Sequence, residues 1–354
     1  MKITGLNKPQ LSICIPTYNR LNVLKQCLDH VIPQVEALPS GLVEVVLVNN
    51  ASTDGTADFL NQFAMQCDYT HAYHNPVNLG FDGNTAKCIE YAQGDYIALL
   101  SDDDIYTPGA VQAILDVLDR GEYALVFLNY YGFIGKNVAK QCSTVAPDHD
   151  VEFDRAMDAM NYPSVGHFSG FIYNSDMAKK ALSHMLSKSP IQTSGAMRQG
   201  VYFEVAVRVA NSSDLPAYFI GARKLAARTV EDHCTIPIGD LKIHELCLDY
   251  YELMLRCYKE GLLTDADLDY RKRLVLSWLP RAIVRNAGYA DLVEMTKISD
   301  KLRAHFKSEK QFNVKIAPLL TIACHPVGRF VFRRICHARG LAMQVKNLMM
   351  GHGR

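Results

Sequence analysis

The sequence predicts an α/β fold: a mainly parallel sheet with helices on both faces, followed by a helical C-terminal region. Three observations carry that expectation. Over residues 1–130 short apolar runs alternate with segments of helical period, the stretches after those runs are rich in Asn, Asp, Gly and Thr, and 354 residues at 49% hydrophobic content can bury a sizeable core.

The elements follow in order. LSICIP (11–16) reads as a buried strand, after which Val23, Leu24, Cys27, Leu28 and Val31 recur at helical spacing. VEVVLV (43–48) is a second strand, and Asn50, Ser52 and Thr53 offer caps for a helix reaching about Phe63. A polar-alternating strand is expected near 69–74, a helix over about 84–92, and a strand at DYIALL (95–100). Thr107 and Pro108 then give an N-cap and a proline at the first helical position, with Val111, Ile114, Leu115 and Leu118 as the apolar face. YALVFL (123–128) closes the series. Alternation at this period implies right-handed crossovers between parallel strands.

Beyond about residue 135 the pattern loosens, and beyond about 241 it turns helical, so three stretches are expected: 1–130, 131–240 and 241–354. LKIHELCLDYYELMLRCYKEG and RKRLVLSWLPRAIVRNA are the clearest amphipathic pieces of the last stretch. Trp278, the single tryptophan, lies in one of them and suits packing better than a sugar platform.

Lys plus Arg and Asp plus Glu both number 37, a balance that argues against a surface built to bind nucleic acid. The balance hides an asymmetry, since residues 1–150 carry 8 basic and 17 acidic side chains and residues 151–354 carry 29 and 20. The 10 cysteines include no C-x-x-C pair, and several sit in apolar runs, as free thiols do in a reducing compartment. MKITGLNKPQ lacks a signal-peptide core, and no window reaches the roughly 18 apolar residues of a membrane span. A cytoplasmic protein is expected.

Ligands of parallel sheets sit at the carboxyl ends of the strands. Here those ends read PTYNR (16–20), NNASTDGT (49–56), NPVNLGFDGN (75–84) and SDDD (101–104), a rim suited to a polyhydroxyl, phosphorylated ligand. Asp102, Asp103 and Asp104 repel one another, and a cation would relieve them. Oxygen ligands suit Mg²⁺ or Mn²⁺, with substrate phosphates completing the shell. The alternative is a solvated turn in which Asp104 or Thr107 helps cap the next helix.

Taken together, SICIPTYNR, VLVNNASTDGT, NLGFDGN and ALLSDDDIYTP closely resemble the donor-binding half of family 2 glycosyltransferases of the GT-A fold, over roughly residues 10–130. The combination of NAST, NLGFDGN and SDDD is most similar to bacterial enzymes of the abequosyltransferase type, which build O-antigen, capsule or other surface polysaccharides. The resemblance implies a nucleotide-diphosphate sugar donor, a glycan acceptor expected to be lipid-linked, and metal-assisted inverting transfer. It implies a donor half at 1–130 and an acceptor half at 131–240. Pro16, Thr17 and Tyr18 would line the nucleotide pocket, with Asn19 and Arg20 at its edge. Asn78, Gly80 and Asn84 match the loop over nucleotide and sugar, although Gly80 could simply supply a turn. Asp102 would approach the ribose, Asp103 would be the principal metal ligand, and Asp104 would assist the metal or the sugar. At Asn49 the sequence departs from the acidic residue usual there, which opens the identity of the nucleotide.

Inverting transfer needs a group that deprotonates the acceptor. Glu204 is the first candidate, ahead of VAVRVA, although it could instead pair with Arg208 at helical spacing. Glu231 and Asp232 are the runners-up; His233 could reach the diphosphate and His167 the acceptor, each set against an ordinary surface histidine. In residues 301–354, 11 Lys or Arg face a single acid, Glu309, and the apolar residues interleaved over 326–350 would let this segment lie on an anionic membrane surface or pack as an ordinary amphipathic helix. Peripheral attachment to the inner face of the cytoplasmic membrane is therefore one expectation, and the oligomeric state is left open. Two other classes compete with this reading: a sugar-1-phosphate nucleotidyltransferase, disfavoured because PTYNR has no glycine, and a non-catalytic nucleotide-sugar-binding protein.

Overall fold

The computed structural model describes residues 8–133, 135, 137–139, 141–144, 147–162, 165–188, 200–228, 243–289, 292–306, 308–309 and 312–325. The chain divides into two compact units, Met1–His233 and Cys234–Arg354, a few residues ahead of the boundary expected near 241.

The first unit is built on a ten-stranded sheet. Strands β1 (Leu11–Thr17), β2 (Val43–Asn49), β3 (Thr70–His74) and β4 (Tyr96–Leu99) pair in parallel in the order β3-β2-β1-β4. Their crossovers are α1 (Leu21–Glu36), α2 (Thr56–Gln66) and α3 (Gly80–Tyr91). Both faces of β1 and β2 are buried along their whole length, which is why their sequences read as unbroken apolar runs instead of alternating. Leu24, Cys27, Leu28 and Val31 of α1 join the same core cluster as Ile13, Ile15, Val45 and Leu47.

The sheet continues with β5 (Ile105–Tyr106), β6 (Leu125–Phe133), β7 (Gln141–Thr144), β8 (Val151–Phe153), β9 (Phe171–Asn174) and β10 (Ala217–Arg228). The four-residue strand β9 inserts antiparallel between β4 and β6, while β6 and β10 run parallel and β5 returns antiparallel at the edge. The parallel order expected from the sequence thus holds in the first four strands, and the rest of the sheet is mixed. A boundary at residue 130 falls inside β6, so 131–228 completes one sheet begun by 11–99. Helices α4 (Ala110–Leu118), α5 (Ala156–Ala159), α6 (Ser175–Lys188) and α7 (Val201–Asn211) fill the remaining connections.

The second unit is helical, as expected: α8 (Ile243–Lys259), α9 (Asp265–Tyr289), α10 (Leu292–Phe306), a π-helical turn at Phe312–Ile316, and α11 (Ala317–Ala323). Its own core joins Tyr251, Val275, Leu279, Ile283, Phe306 and Leu320. The side chain of Trp278 and the whole of 326–354 lie outside the described residues. Among the described residues no helix is long and apolar enough to cross a membrane.

Candidate functional site

The carboxyl ends of β1 and β4 bring Thr17, Arg20, Asp102 and Asp103 together. Thr17 Oγ1 donates to Asp102 Oδ2 at 2.7 Å, while Arg20 Nη1 donates to Asp102 Oδ1 at 3.1 Å and to Asp103 Oδ2 at 2.8 Å. Ser101 Oγ holds the other oxygen of Asp103 at 2.6 Å. Both aspartates are buried. Burial pushes the Asp102 carboxyl up to about 7; Arg20 pulls it down, and the neighbouring charge of Asp103 adds to the rise. Of the other residues expected here, Pro16 is buried in β1 and Tyr18 projects with 42% exposure.

Two non-glycine residues at the strand ends adopt left-handed backbone, Asn19 at φ 52° and Ala51 at φ 60°. Hydrogen bonds between the two turns hold them, from Asn19 N to Ser52 Oγ (2.9 Å) and from Thr53 N to Asn19 Oδ1 (2.7 Å).

A set of amides, buried at Asn50, Asn75 and Asn84 and exposed at Asn78, fixes the next two loops. Asn50 Nδ2 donates to Asn78 Oδ1 (2.8 Å) and to the Gly80 carbonyl (3.2 Å), and Asn50 Oδ1 accepts from Asn75 Nδ2 and Leu79 N. Asn75 Nδ2 also reaches Asn84 Oδ1, whose own Nδ2 donates to the Val48 carbonyl. Gly80 has φ 72° and opens α3, so the turn reading of this glycine is realised and the helix begins ahead of the expected 84. Asn50 and Asn75, not singled out as site residues from the sequence, are the hubs of the set. Asn49 is held by Ser52 N on its oxygen, and its Nδ2 faces His74 Nδ1 at 3.1 Å.

In the second half of the sheet, Asp104 turns away from its two neighbours. Its Oδ2 accepts from Ser169 Oγ (2.6 Å) and pairs with His167 Nε2 (2.7 Å), and its Oδ1 accepts from Arg228 N (2.9 Å). Burial lowers the His167 imidazole, but the charge and hydrogen bond of Asp104 outweigh it and leave the ring above its ordinary value. His167 stacks on Tyr130 with centroids 4.6 Å apart. Glu204, on α7, is 1% exposed, and its Oε1 accepts from Arg208 Nε (3.0 Å) and Nη2 (2.7 Å): the ion pair among the two expectations is formed. Asp82 accepts from Gly200 N (3.1 Å) and Val201 N (3.0 Å), tying the third strand-end loop to the start of α7. Neither this use of Asp82 nor the part of Arg228 was legible in the motifs. Glu231, Asp232 and His233 lie outside the described residues.

The donor chemistry of Asp102 and Asp103 fits Mg²⁺ or Mn²⁺, because two hard carboxylate oxygens converge on one cationic point, which the Arg20 guanidinium takes here. Asp104 points away from that convergence, its oxygens accepting from Ser169 and Arg228 and pairing with His167. Among the described residues no group of three His, Cys, Asp or Glu side chains could hold a metal by itself, so a cation here would draw further ligands from substrate phosphate.

Residues 12–175 match the family model described as glycosyl transferase family 2. The chain is 32% identical over 110 residues to abequosyltransferase RfbV of Salmonella typhimurium, covering 31% of this chain and 32% of that protein. It is 27% identical over 144 residues to a poly(ribitol-phosphate) beta-glucosyltransferase of Bacillus spizizenii, covering 40% and 22%. The match to glycosyltransferase GlyG of Streptococcus pneumoniae is 25% over 123 residues, covering 35% and 40%, so the chain spans at most two fifths of these relatives. Among solved structures, S. aureus TarS 1–349 in complex with UDP-GlcNAc aligns with a TM-score of 0.60 at 15% identity, covering 92% of this chain and 89% of that one. The fold is the GT-A fold that the sequence motifs implied.

Proposed function

We infer that this chain, whose residues 12–175 form a glycosyl transferase family 2 domain, moves one sugar from a nucleotide-diphosphate sugar to a growing cell-surface glycan. The observation that carries the reading is the convergence of Thr17, Arg20, Asp102 and Asp103 at the ends of adjacent parallel strands, where an α/β sheet binds its ligand. The abequosyl and glucosyl transfer carried out by the relatives supports the surface-polysaccharide setting.

In this reading Tyr18, exposed at the end of β1, covers the base or ribose, and Thr17 and Asp102 fix the ribose side. The amide loop of Asn75, Asn78 and Asn84 is preorganised before the donor arrives, so little ordering is required on binding. Asp103, with Asp102 beside it, would hold Mg²⁺ or Mn²⁺, which when bound supplies positive charge to the leaving diphosphate. Arg20 bridges the two carboxylates in the free chain and is placed to meet the same phosphates once it swings away. Inversion at the anomeric carbon and a lipid-linked acceptor belong to the proposal, as does attachment of the basic 326–350 segment to an anionic membrane.

The test is a screen of UDP-, GDP-, CDP- and dTDP-sugars for binding and for release of the nucleoside diphosphate, with and without Mg²⁺ or Mn²⁺. Binding of one donor class with slow release in water is the expected result. Failure of all four to bind would remove the reading.

A further inference from the structure

We propose that Arg228 is the positioning residue of the aspartate turn: it holds the peptide between Asp103 and Asp104 and so keeps the Asp103 carboxylate beside Asp102 and Arg20. The assignment rests on the glycosyl-transfer reading above and adds to it the residue that sorts three adjacent, chemically alike carboxylates.

Strand register brings Arg228 to the turn. β10 runs antiparallel to β5 with Ala226 opposite Ile105, and two residues further along the same register Arg228, the last residue of β10, stands opposite Asp103. Against β6 the strand is irregular on both sides of Arg223, then regains its pairing and sets Arg228 beside Phe133.

At that position Arg228 grips the 103–104 peptide from two directions. Its Nε donates to the Asp103 carbonyl at 3.0 Å, and its backbone N donates to Asp104 Oδ1 at 2.9 Å. A peptide is planar, so fixing its carbonyl fixes the direction in which the residues on either side leave it. Asp103 is thereby held with Oδ2 on Arg20 (2.8 Å) and Oδ1 on Ser101 Oγ (2.6 Å), while Asp104 turns to Ser169 and His167.

The guanidinium is itself immobilised. Nη1 donates to the Gly135 carbonyl and Nη2 to Gln26 Oε1, both at 2.6 Å, and the guanidinium carbon lies 4.6 Å from the centre of the Phe133 ring. Arg228 is 8% exposed, so these anchors, drawn from α1, the end of β6 and the residues just after it, surround a buried cation. A planar fork serves acceptors in three directions at once, which the single ammonium of a lysine cannot reproduce. Arg228 acts through Asp103, and supporting groups of this kind change metal affinity by about 10–100-fold.

The experiment measures nucleoside diphosphate binding by the full chain, with UDP, GDP, CDP and dTDP in turn, in the presence and absence of MnCl₂. For the nucleotide that binds, Arg228→Met is expected to raise the Kd in Mn²⁺ by about 10-fold or more and to leave the metal-free Kd within about twofold, a selective loss that general loosening of the fold would not produce. Arg228→Lys keeps the charge without the fork and should stay impaired, and thermal melts of both variants show which are folded. An unchanged Kd in Mn²⁺ for folded Arg228→Met, or full recovery in Arg228→Lys, would overturn the assignment, as would a metal-free Kd that rises in step. If the unaltered chain binds none of the four nucleotides, the glycosyl-transfer reading falls and this assignment with it. Binding that Mn²⁺ does not strengthen removes metal ligation by Asp103 and this role together.

Discussion

Arg20 and Asp103 form an ion pair of 2.8 Å at the carboxyl end of the parallel strands, and the same guanidinium nitrogen reaches Asp102 at 3.1 Å. One internal cation therefore bridges two buried carboxylates and offsets part of their mutual repulsion. Arg20→Ala is expected to cost about 1–3 kcal/mol of stability, the range for a buried group losing its partner, and Mn²⁺ should raise the melting temperature of the variant more than that of the unaltered chain. Asp103→Asn should lose the effect of metal on donor binding together with transfer. Thermal melts and donor titrations with and without MnCl₂ decide both, and metal-dependent donor binding by folded Asp103→Asn would refute the ligand assignment.

The Glu204 and Arg208 pair gives a second prediction. Removing one charge from a buried ion pair costs about 3–5 kcal/mol, so Glu204→Gln should shift the urea midpoint strongly downward. A variant of unchanged stability that has lost turnover would instead return Glu204 to the role of base.

Asp82 acts at a distance in sequence, accepting from the first turn of α3 the backbone N–H groups of Gly200, which precedes α7, and of Val201, which opens it. Asp82→Ala should lower stability by about 1–2 kcal/mol, as the loss of a helix cap does, and Asp82→Asn by less, since one amide oxygen still accepts. Denaturant titration of the two variants checks the order.

Burial pushes the thiols of Cys14, Cys27 and Cys88 upward, and for Cys27 the carboxylates of Asp102, Asp104 and Asp103 add to the rise. A raised thiol carries less thiolate at a given pH, so these three should resist iodoacetamide at pH 8 while the partly exposed Cys67 reacts. Mass spectrometry of the native and urea-unfolded chain tests this; equal labelling of all four in the native state would contradict it.

The basic tail leads to a last prediction. Arg329, Arg333, Arg334, Arg339 and Lys346 would each contribute on the order of 1 kcal/mol at an anionic surface. The full chain should sediment with anionic liposomes, less so at high salt, and a chain ending at His325 should not. Equal binding to neutral liposomes, or no loss on truncation, would assign the segment to packing within the protein.

The parallel half of the sheet and the positions of its strand-end motifs are legible in the residues. That information is local: doubly covered strands must be apolar along their length, and helices on the faces must carry apolar residues at helical spacing, so LSICIP, VEVVLV and DYIALL declare themselves. The partner of each polar group at those ends depends instead on contacts between distant segments. Asp102, Asp103 and Asp104 are adjacent and chemically alike, yet two face Arg20 and the third faces His167, 63 residues away. Strand β9, four residues long, was too short to announce that it would enter the sheet antiparallel and carry that histidine's loop beside Asp104. Glu204 and Arg208 had two readings at the same spacing, and burial on α7 selected the ion pair because an uncompensated charge there would be costly. Local pattern fixes which face is apolar; the partner of a charge is fixed by which distant segment the fold brings within hydrogen-bonding distance.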